Sequence, residues 1–152
     1  MKKTAKNCVP EYVAVLCEQI VKGHEKRKKD YESKRTDIIY SHSSGFDEAV
    51  GASRGVGHIS NSCATKAERL EQLEDSLNAQ FLRAVEQSLV SLGDDVPRDS
   101  REKLRKAVLL NCESGREFPF EILGIDEFSR RDFYRRRKRF ILGVGAALGL
   151  TE

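Results

Sequence analysis

The segment SRRDFYRRRKRF, Ser129–Phe140, has the densest concentration of Arg and Lys in the sequence. Seven of its twelve residues are Arg or Lys, and aromatic residues interrupt the run at Phe133, Tyr134 and Phe140. A guanidinium group offers several N–H donors in a planar fork that matches phosphate oxygens and the guanine edge, whereas a Lys ammonium binds phosphate as a point charge. The segment is therefore suited to binding a polyanion.

Helical periodicity predicts that this segment has two different faces. Ser129 can cap the N–H near Asp132, and the acid also favours a helix start electrostatically. The apolar residues then fall on one face of a helix with about 3.6 residues per turn; they are Phe133, Phe140, Ile141, Val144 and Leu148. Most of the basic residues point elsewhere. We therefore predict an amphipathic helix whose solvent face is almost wholly cationic.

Two shorter elements precede the basic helix. Asp99 and Glu102 form a capping pair for a helix predicted at about 100–114. The apolar residues near 119–124 suit a helix of two turns. With the basic helix, these elements form a carboxyl-terminal series of three helices.

The order of short helix, brief connection and basic helix is typical of a helix-turn-helix, whose last helix enters the major groove of DNA. The connection GIDEFS places Gly124 at the turn and Ile125 against the core. We therefore predict a helix-turn-helix at about 118–148. Its candidate base-contacting residues are Arg130, Arg131, Asp132 and Arg135, and its candidate phosphate-contacting residues are Arg136, Lys138 and Arg139.

A cationic helix face is compatible with other partners. It can bind RNA, an acidic protein or an anionic lipid surface, or it can be a solvated surface only. Among these alternatives, the helix order favours double-stranded DNA.

A capping box in TKAE, formed by Thr65 and Glu68, predicts the start of a long central helix. Apolar residues follow at three- and four-residue steps, and Gly93 is placed to end the helix. This apolar stripe consists of Leu70, Leu73, Leu77, Phe81, Ala84, Val85, Leu89 and Leu92. Such a stripe packs in a core or against another helix, so a homodimer is one expectation.

The remaining segments complete an all-α prediction. Residues 1–40 predict an amino-terminal helical arm, because apolar helical spacing gives way there to charged helix formers. Residues 41–62 are rich in Gly and Ser and have no sustained period, which predicts a flexible loop. Residues 63–152 are then a helical DNA-binding domain that ends in the helix-turn-helix.

Composition excludes several classes of function. The formal net charge is only +3, so the local clusters of Lys and Arg matter more than the total. No apolar run approaches the ~20 residues of a membrane helix, and the amino end lacks the apolar stretch of a secretory signal, which predicts a cytoplasmic protein without a membrane partner. The four Cys residues form no CxxC pair, so we expect neither a metal site nor a cofactor.

No arrangement of residues predicts catalysis. Asp94 and Asp95 are adjacent in a turn, whereas two carboxylates that act as acid and base must converge on one atom. Cys112 has no His near it in the sequence, and the Arg and His set that a Tyr134 nucleophile would need is not identifiable. We therefore expect a binding protein and not an enzyme. A helical protein-interaction module, or a DNA-packaging protein similar to a small terminase subunit, is the alternative to a regulator.

Two segments of the chain resemble parts of a known protein family. SRRDFYRRRKRFILGVGAALGL is similar to a Ser-x-Arg-x-Phe/Tyr-Tyr-Arg recognition helix with a closing Leu-Gly-Leu, and SNSCATKAERLEQL is similar to the start of a central helix. In these segments the chain resembles the phage and prophage late-gene transcription regulators of the RinA and ArpU type. Their carboxyl end is similar to region 4 of sigma factors. The segment FPFEILGIDEF departs from that pattern, because it lacks the Ile-Ala step and is longer between Gly124 and Ser129.

The resemblance implies a DNA-binding transcription regulator that acts at a promoter with RNA polymerase in the cytoplasm of a bacterial host cell. Carried over residue by residue, it implies that Arg130, Arg131, Tyr134 and Arg135 contact DNA. It also implies that Phe133 and Phe140 are packing residues.

Overall fold

The computed structural model describes residues 9–41 and 58–151, of which residues 58–62 are described by their backbone alone. The elements are the helices α1 (Glu11–Lys22), α2 (His24–Tyr40), α3 (His58–Glu74), α4 (Leu77–Ser91), α5 (Arg98–Glu113) and α6 (Arg130–Ala147), with a 3₁₀ helix at Phe120–Ile122. No strand occurs in the two described ranges, so the predicted all-α class is confirmed. None of the helices in these ranges combines the length and apolarity needed to cross a bilayer.

The chain divides into two compact units. The first unit combines Met1–Glu25 with Phe81–Glu152, and the second unit is Lys26–Gln80. The predicted arm of residues 1–40 is therefore shared between both units. The physical reason is that Val13 and Cys17 of α1 are buried against α5 and α6, whereas most of α2 has too few apolar residues to form such a face.

The core of the first unit is centred on the apolar face of α6. Phe133, Phe140 and Val144 are buried there, as their helical spacing predicts. Leu104 and Val108 of α5 belong to the same core cluster. Burying large side chains of this kind contributes roughly 1.5 to 3 kcal/mol each, so this face holds α6 in the fold.

Small residues let α6 lie close to its neighbours. A Cβ atom at Gly145 would stand 2.8 Å from Sγ of Cys17 on α1. A Cβ atom at Gly143 would stand 2.6 Å from Oγ of Ser88 on α4, and that hydroxyl donates to the Phe140 carbonyl at 2.9 Å. Both separations are shorter than ordinary contacts, so a side chain at either position would force its neighbour to shift.

The second unit pairs α2 with α3 in antiparallel fashion. The Lys66 Nζ donates to the Ile39 carbonyl at 3.2 Å, and the Tyr31 hydroxyl bonds to the Glu74 carboxylate. The Lys66 bond joins the end of α2 to the first half of α3, and the Tyr31 bond joins the middle of α2 to the end of α3. Among the described residues of this unit, Ala79 is the one apolar side chain that is fully buried. This unit therefore has polar contacts between its helices and little fully buried apolar surface.

The predicted central helix is interrupted. Helix α3 ends at Glu74 and α4 begins at Leu77, because the Ser76 hydroxyl accepts a bond from the Ala79 N–H at 3.3 Å and so starts a new helix. Leu77, which the continuous stripe placed on the packing face, is 62% exposed. The predicted helix start at Thr65 is also wrong, because α3 already begins at His58.

Other boundaries differ in detail from the prediction. Residues 58–62 of the predicted loop are helical, Ser41 has no regular secondary structure, and residues 42–57 lie outside the described residues. Helix α5 begins directly after Pro97, and no side chain caps it, so the predicted capping pair is absent. Gly93 has φ +83° just after α4, as its predicted role at the end of that helix requires.

Replacement of Phe140 by Ala tests the buried face of α6. We expect a loss of roughly 3 to 5 kcal/mol in the free energy of unfolding, because the change leaves a cavity in the core. Chemical denaturation measures it. The matched control is Val90→Ala, at a side chain that is 66% exposed, which should change stability by about 0.5 kcal/mol or less. Equal effects of the two substitutions would contradict the packing described.

The close approach of α6 and α1 predicts coupling between Gly145 and Cys17. In Gly145→Ala the new methyl group meets the thiol, so we expect Cys17→Ala to relieve part of the cost. A double-mutant cycle of unfolding free energies should show a coupling of roughly 0.5 to 3 kcal/mol. Strict additivity would mean that the two positions do not touch.

Candidate nucleic-acid interface

Helix α6 starts at a defined cap. The Ser129 hydroxyl accepts a bond from the Asp132 N–H at 3.1 Å, as predicted from the sequence. Ile125 and Phe128 are buried just before it, so the connection is held to the core, and Gly124 has φ +66° at the predicted turn. The first turn of α6 is thus fixed in place.

The connection before α6 differs from the predicted helix-turn-helix. The helix of two turns predicted near 119–124 is a single 3₁₀ turn, Phe120–Ile122. The centre of the Phe120 ring lies 5.5 Å from the centre of the Phe133 ring, and this contact connects the 3₁₀ turn to α6. Residues 123–129 then connect to α6, and this is longer than the connection of about three to four residues in a helix-turn-helix. The helix-turn-helix arrangement stays a prediction.

Four cationic side chains form what we term the basic row on the solvent face of α6. They are Arg131, Arg135, Lys138 and Arg139, all exposed. The row spans about 12 Å along the helix axis, at 1.5 Å per residue. In the described part of the chain, no ion pair includes Arg131, Lys138 or Arg139. These three cations are therefore available to an external anion.

Arg130 and Tyr134 flank the basic row at the start of α6. The Arg130 guanidinium pairs with the Glu121 carboxylate and lies 5.8 Å from the centre of the Tyr134 ring. Tyr134 is partly exposed, with 36% of its surface accessible. Both candidate residues are at the surface, and Arg130 already has an acidic partner.

Arg136 was predicted to contact phosphate, but its environment differs from the exposed position that such a contact needs. Its side chain is only 15% exposed. Nη1 and Nη2 donate to the two oxygens of Asp95 at 2.7 Å each, and Nε donates to Asp132 at 2.8 Å. The guanidinium also lies 5.4 Å from the centre of the Phe128 ring. All three nitrogens donate within the protein and the side chain is largely buried, so only the second hydrogens of Nη1 and Nη2 are left for a phosphate.

Arg137, which lies inside the basic run, points towards the core. Its side chain is 20% exposed and donates to the Glu18 carboxylate at 2.7 Å, which links α6 to α1. Burial raises the pKa of the neighbouring Cys112 thiol to about 11, so this thiol is protonated at neutral pH. The inward position of Arg137 is readable from the sequence, because it lies four residues after Phe133 and three before Phe140 on the apolar face.

Two acids near the basic row are held in the ionised state. The pKa of Asp95 is lowered to about 2, chiefly because Arg136 donates hydrogen bonds to its carboxylate. The pKa of Asp132 is lowered for the same main reason, with a further bond from Arg135. The hydrogen bonds that Arg136 donates to the two acids in turn raise its own pKa. The contact between Asp95 and Arg136 joins residues 41 positions apart. Nothing in the sequence pattern predicted Asp95 as the partner of Arg136.

A groove of about 440 Å³ lies between α4 and α6 in the first unit. Leu92, Phe140 and Ala146 are among its apolar lining residues, and Asp95 and Arg139 are among its charged ones. No group of three or more His, Cys, Asp or Glu residues in the described ranges is arranged to hold a metal ion. The charged surface of α6 is therefore the candidate site that the structure defines best.

Comparisons of the chain with protein-family models, with curated proteins and with solved structures found no significant match.

The lowered pKa of Asp95 predicts a pH dependence of stability. A carboxyl whose folded pKa lies below its ordinary value of 3.8 stabilises the fold above that value and loses this effect as the pH falls towards about 2. The difference in unfolding free energy between the unmodified protein and Asp95→Asn should therefore be constant near neutrality and shrink in that acidic window. Urea denaturation at a series of pH values measures it, and a difference that persists at pH 2 would contradict the assignment.

Proposed function

We propose that the chain is a sequence-specific DNA-binding transcription regulator that inserts the solvent face of α6 into the major groove. The observation that carries this proposal is the basic row itself. Its cations are exposed on one face of a helix whose opposite face, with Phe133 and Phe140, is buried in the core. A helix held in this way presents its charges on a rigid element, and an α-helix fits the major groove of B-DNA.

The residues of α6 have different roles in this proposal. Arg131 and Arg135 face the groove, and Lys138 and Arg139 bind flanking phosphates, since phosphate contacts position the protein and base contacts specify the sequence. Arg136 leaves the predicted DNA-binding set and acts inside the protein, because its nitrogens bond to Asp95 and Asp132. Arg130 and Tyr134 border the row and contact DNA as the family resemblance implies.

The biological setting of the proposal comes from the resemblance. A regulator of the RinA and ArpU type is phage-encoded and acts at a promoter, with the RNA polymerase of its bacterial host, in the host cytoplasm. These features belong to the proposal and are tested by the choice of duplex in the experiment below.

A second candidate function is a helical protein-interaction module. The observation that favours it is the second unit, in which the apolar side chains of Ile39, Tyr40 and Leu77 are exposed. Apolar side chains exposed in this way are suited to contact with another helix, including one from a second copy. This function does not use the basic row, so removal of the row separates the two candidates.

A salt-dependent titration tests the proposed function. Fluorescence anisotropy is measured with a mixed-sequence duplex and with the duplex upstream of the neighbouring genes, at several salt concentrations. A regulator should prefer one duplex by roughly a thousandfold or more, with affinity that falls steeply as salt increases. Absence of binding to either duplex at low salt would leave the protein-interaction function as the better account.

The double variant Arg131→Ala/Arg135→Ala tests the surface that carries the proposal. We expect weaker binding to the preferred duplex and a smaller preference over the mixed-sequence duplex, because two cations that face the bases leave the interface. The matched control is Arg98→Ala/Arg116→Ala, which removes the same charge from exposed positions outside α6. Equal losses in both double variants would show a general charge effect and no interface on α6. Thermal melting confirms that each variant is folded.

A further inference from the structure

Asp132 occupies a bridging position on the first turn of α6. One carboxylate oxygen, Oδ2, accepts from Nε of Arg136 at 2.8 Å, and the other, Oδ1, accepts from Nη2 of Arg135. Arg136 in turn bonds to both oxygens of Asp95. The four side chains form a continuous series of charged hydrogen bonds, which we term the ion-pair chain.

The inner end of the ion-pair chain is anchored to the fold. Asp95 belongs to the turn between α4 and α5, and two arginines of α5 bond to carbonyl groups of that turn. Nε of Arg101 donates to the Gly93 carbonyl at 2.9 Å, and Nε of Arg105 donates to the Leu92 carbonyl at 3.1 Å. The turn is thus connected to α5, and through Asp95 it holds Arg136.

The outer end of the ion-pair chain is Arg135, whose side chain is 66% exposed. An exposed Arg normally samples many rotamers, and ordering it costs conformational entropy. The bond from Nη2 to Asp132 restricts the orientation of this guanidinium while leaving both hydrogens of Nη1 and the second hydrogen of Nη2 for another acceptor. Arg131, on the same face, has no such partner in the described part of the chain.

We propose that Arg135 recognises the O6 and N7 atoms of a guanine in the major groove, and that Asp132 is the positioning residue that orients its guanidinium. This inference rests on the proposed DNA-binding function and adds the identity of one base pair. A fork whose orientation is already restricted loses less freedom when it forms two bonds, so it discriminates better between a guanine and another base. The carboxylate also repels phosphates, so it increases selectivity at the expense of general affinity.

Asp132 has a purely structural alternative role, since an acid in the first turn of a helix also interacts favourably with the helix dipole. That role affects the stability of α6 but not the choice of base. Base preference is therefore the readout that separates the two roles.

The experiment selects from a randomised duplex library with the full-length protein and sequences the bound fraction. In the unmodified protein one position should be occupied by guanine. Arg135→Lys should lose that preference by roughly tenfold or more while the other positions keep theirs, because Lys retains the charge but has no fork. Lys138→Ala is the matched control on the same face. It removes a proposed phosphate contact, which carries no sequence information, so it should weaken binding to all sequences alike.

Asp132→Asn tests the positioning role. We expect a weaker guanine preference at the position that Arg135→Lys affects, together with unchanged or tighter binding to a mixed-sequence duplex, because a negative charge has been removed. A uniform loss of affinity with the guanine preference intact would assign Asp132 a structural role only. Circular dichroism checks the folded state, and Arg135→Lys, at an exposed side chain, keeps the base assignment testable if Asp132→Asn unfolds.

The failures of the two proposals are distinguishable. If the unmodified protein enriches no duplex, the proposed function itself fails. If it enriches a sequence and Arg135→Lys retains every base preference, DNA binding stands and the guanine contact by Arg135 is wrong.

Discussion

Burial of one face of α6 against α1 and α5 is the interaction on which the first unit depends. Phe133, the largest side chain that is fully buried, lies in the first turn of α6, and Phe140 and Val144 continue the same face. Gly145 permits close packing because a side chain there would meet Cys17. Once this face is buried, the rotation of α6 about its axis is determined, and so is the set of residues that meets solvent.

This rotation separates seven consecutive or nearly consecutive cations into groups with different physical roles. Arg137 turns inward to Glu18, whereas five cations are exposed to solvent: Arg130, Arg131, Arg135, Lys138 and Arg139. Arg136 lies between the two sides and joins acids from its own helix and from the turn after α4. Part of the basic run therefore stabilises the fold, and the rest forms a cationic surface that is available to a polyanion.

The two units are held together internally by different means. The first has a contiguous apolar core, with residues from α1, α4, α5 and α6. The second relies on polar contacts between α2 and α3, and its exposed apolar residues include Ile39 and Tyr40. Pairs of helices with little buried apolar surface are marginally stable alone, because burial supplies most of the stabilisation of helices in proteins. The second unit is accordingly the part of the protein that would gain most from association with another helix.

The sequence by itself determined the helical class, the cap at Ser129, the buried face of α6 and the turn glycines Gly93 and Gly124. These features depend on periodicity and on local backbone chemistry, which are readable from neighbouring residues. The tertiary structure alone decided that α1 joins the core and that Arg136 bonds to Asp95. Local signals were also misread, since Thr65 suggested a helix start that lies inside α3 and Ser76 gave no warning of a break. Contacts between residues far apart in the chain depend on how the helices pack, and no local pattern encodes them.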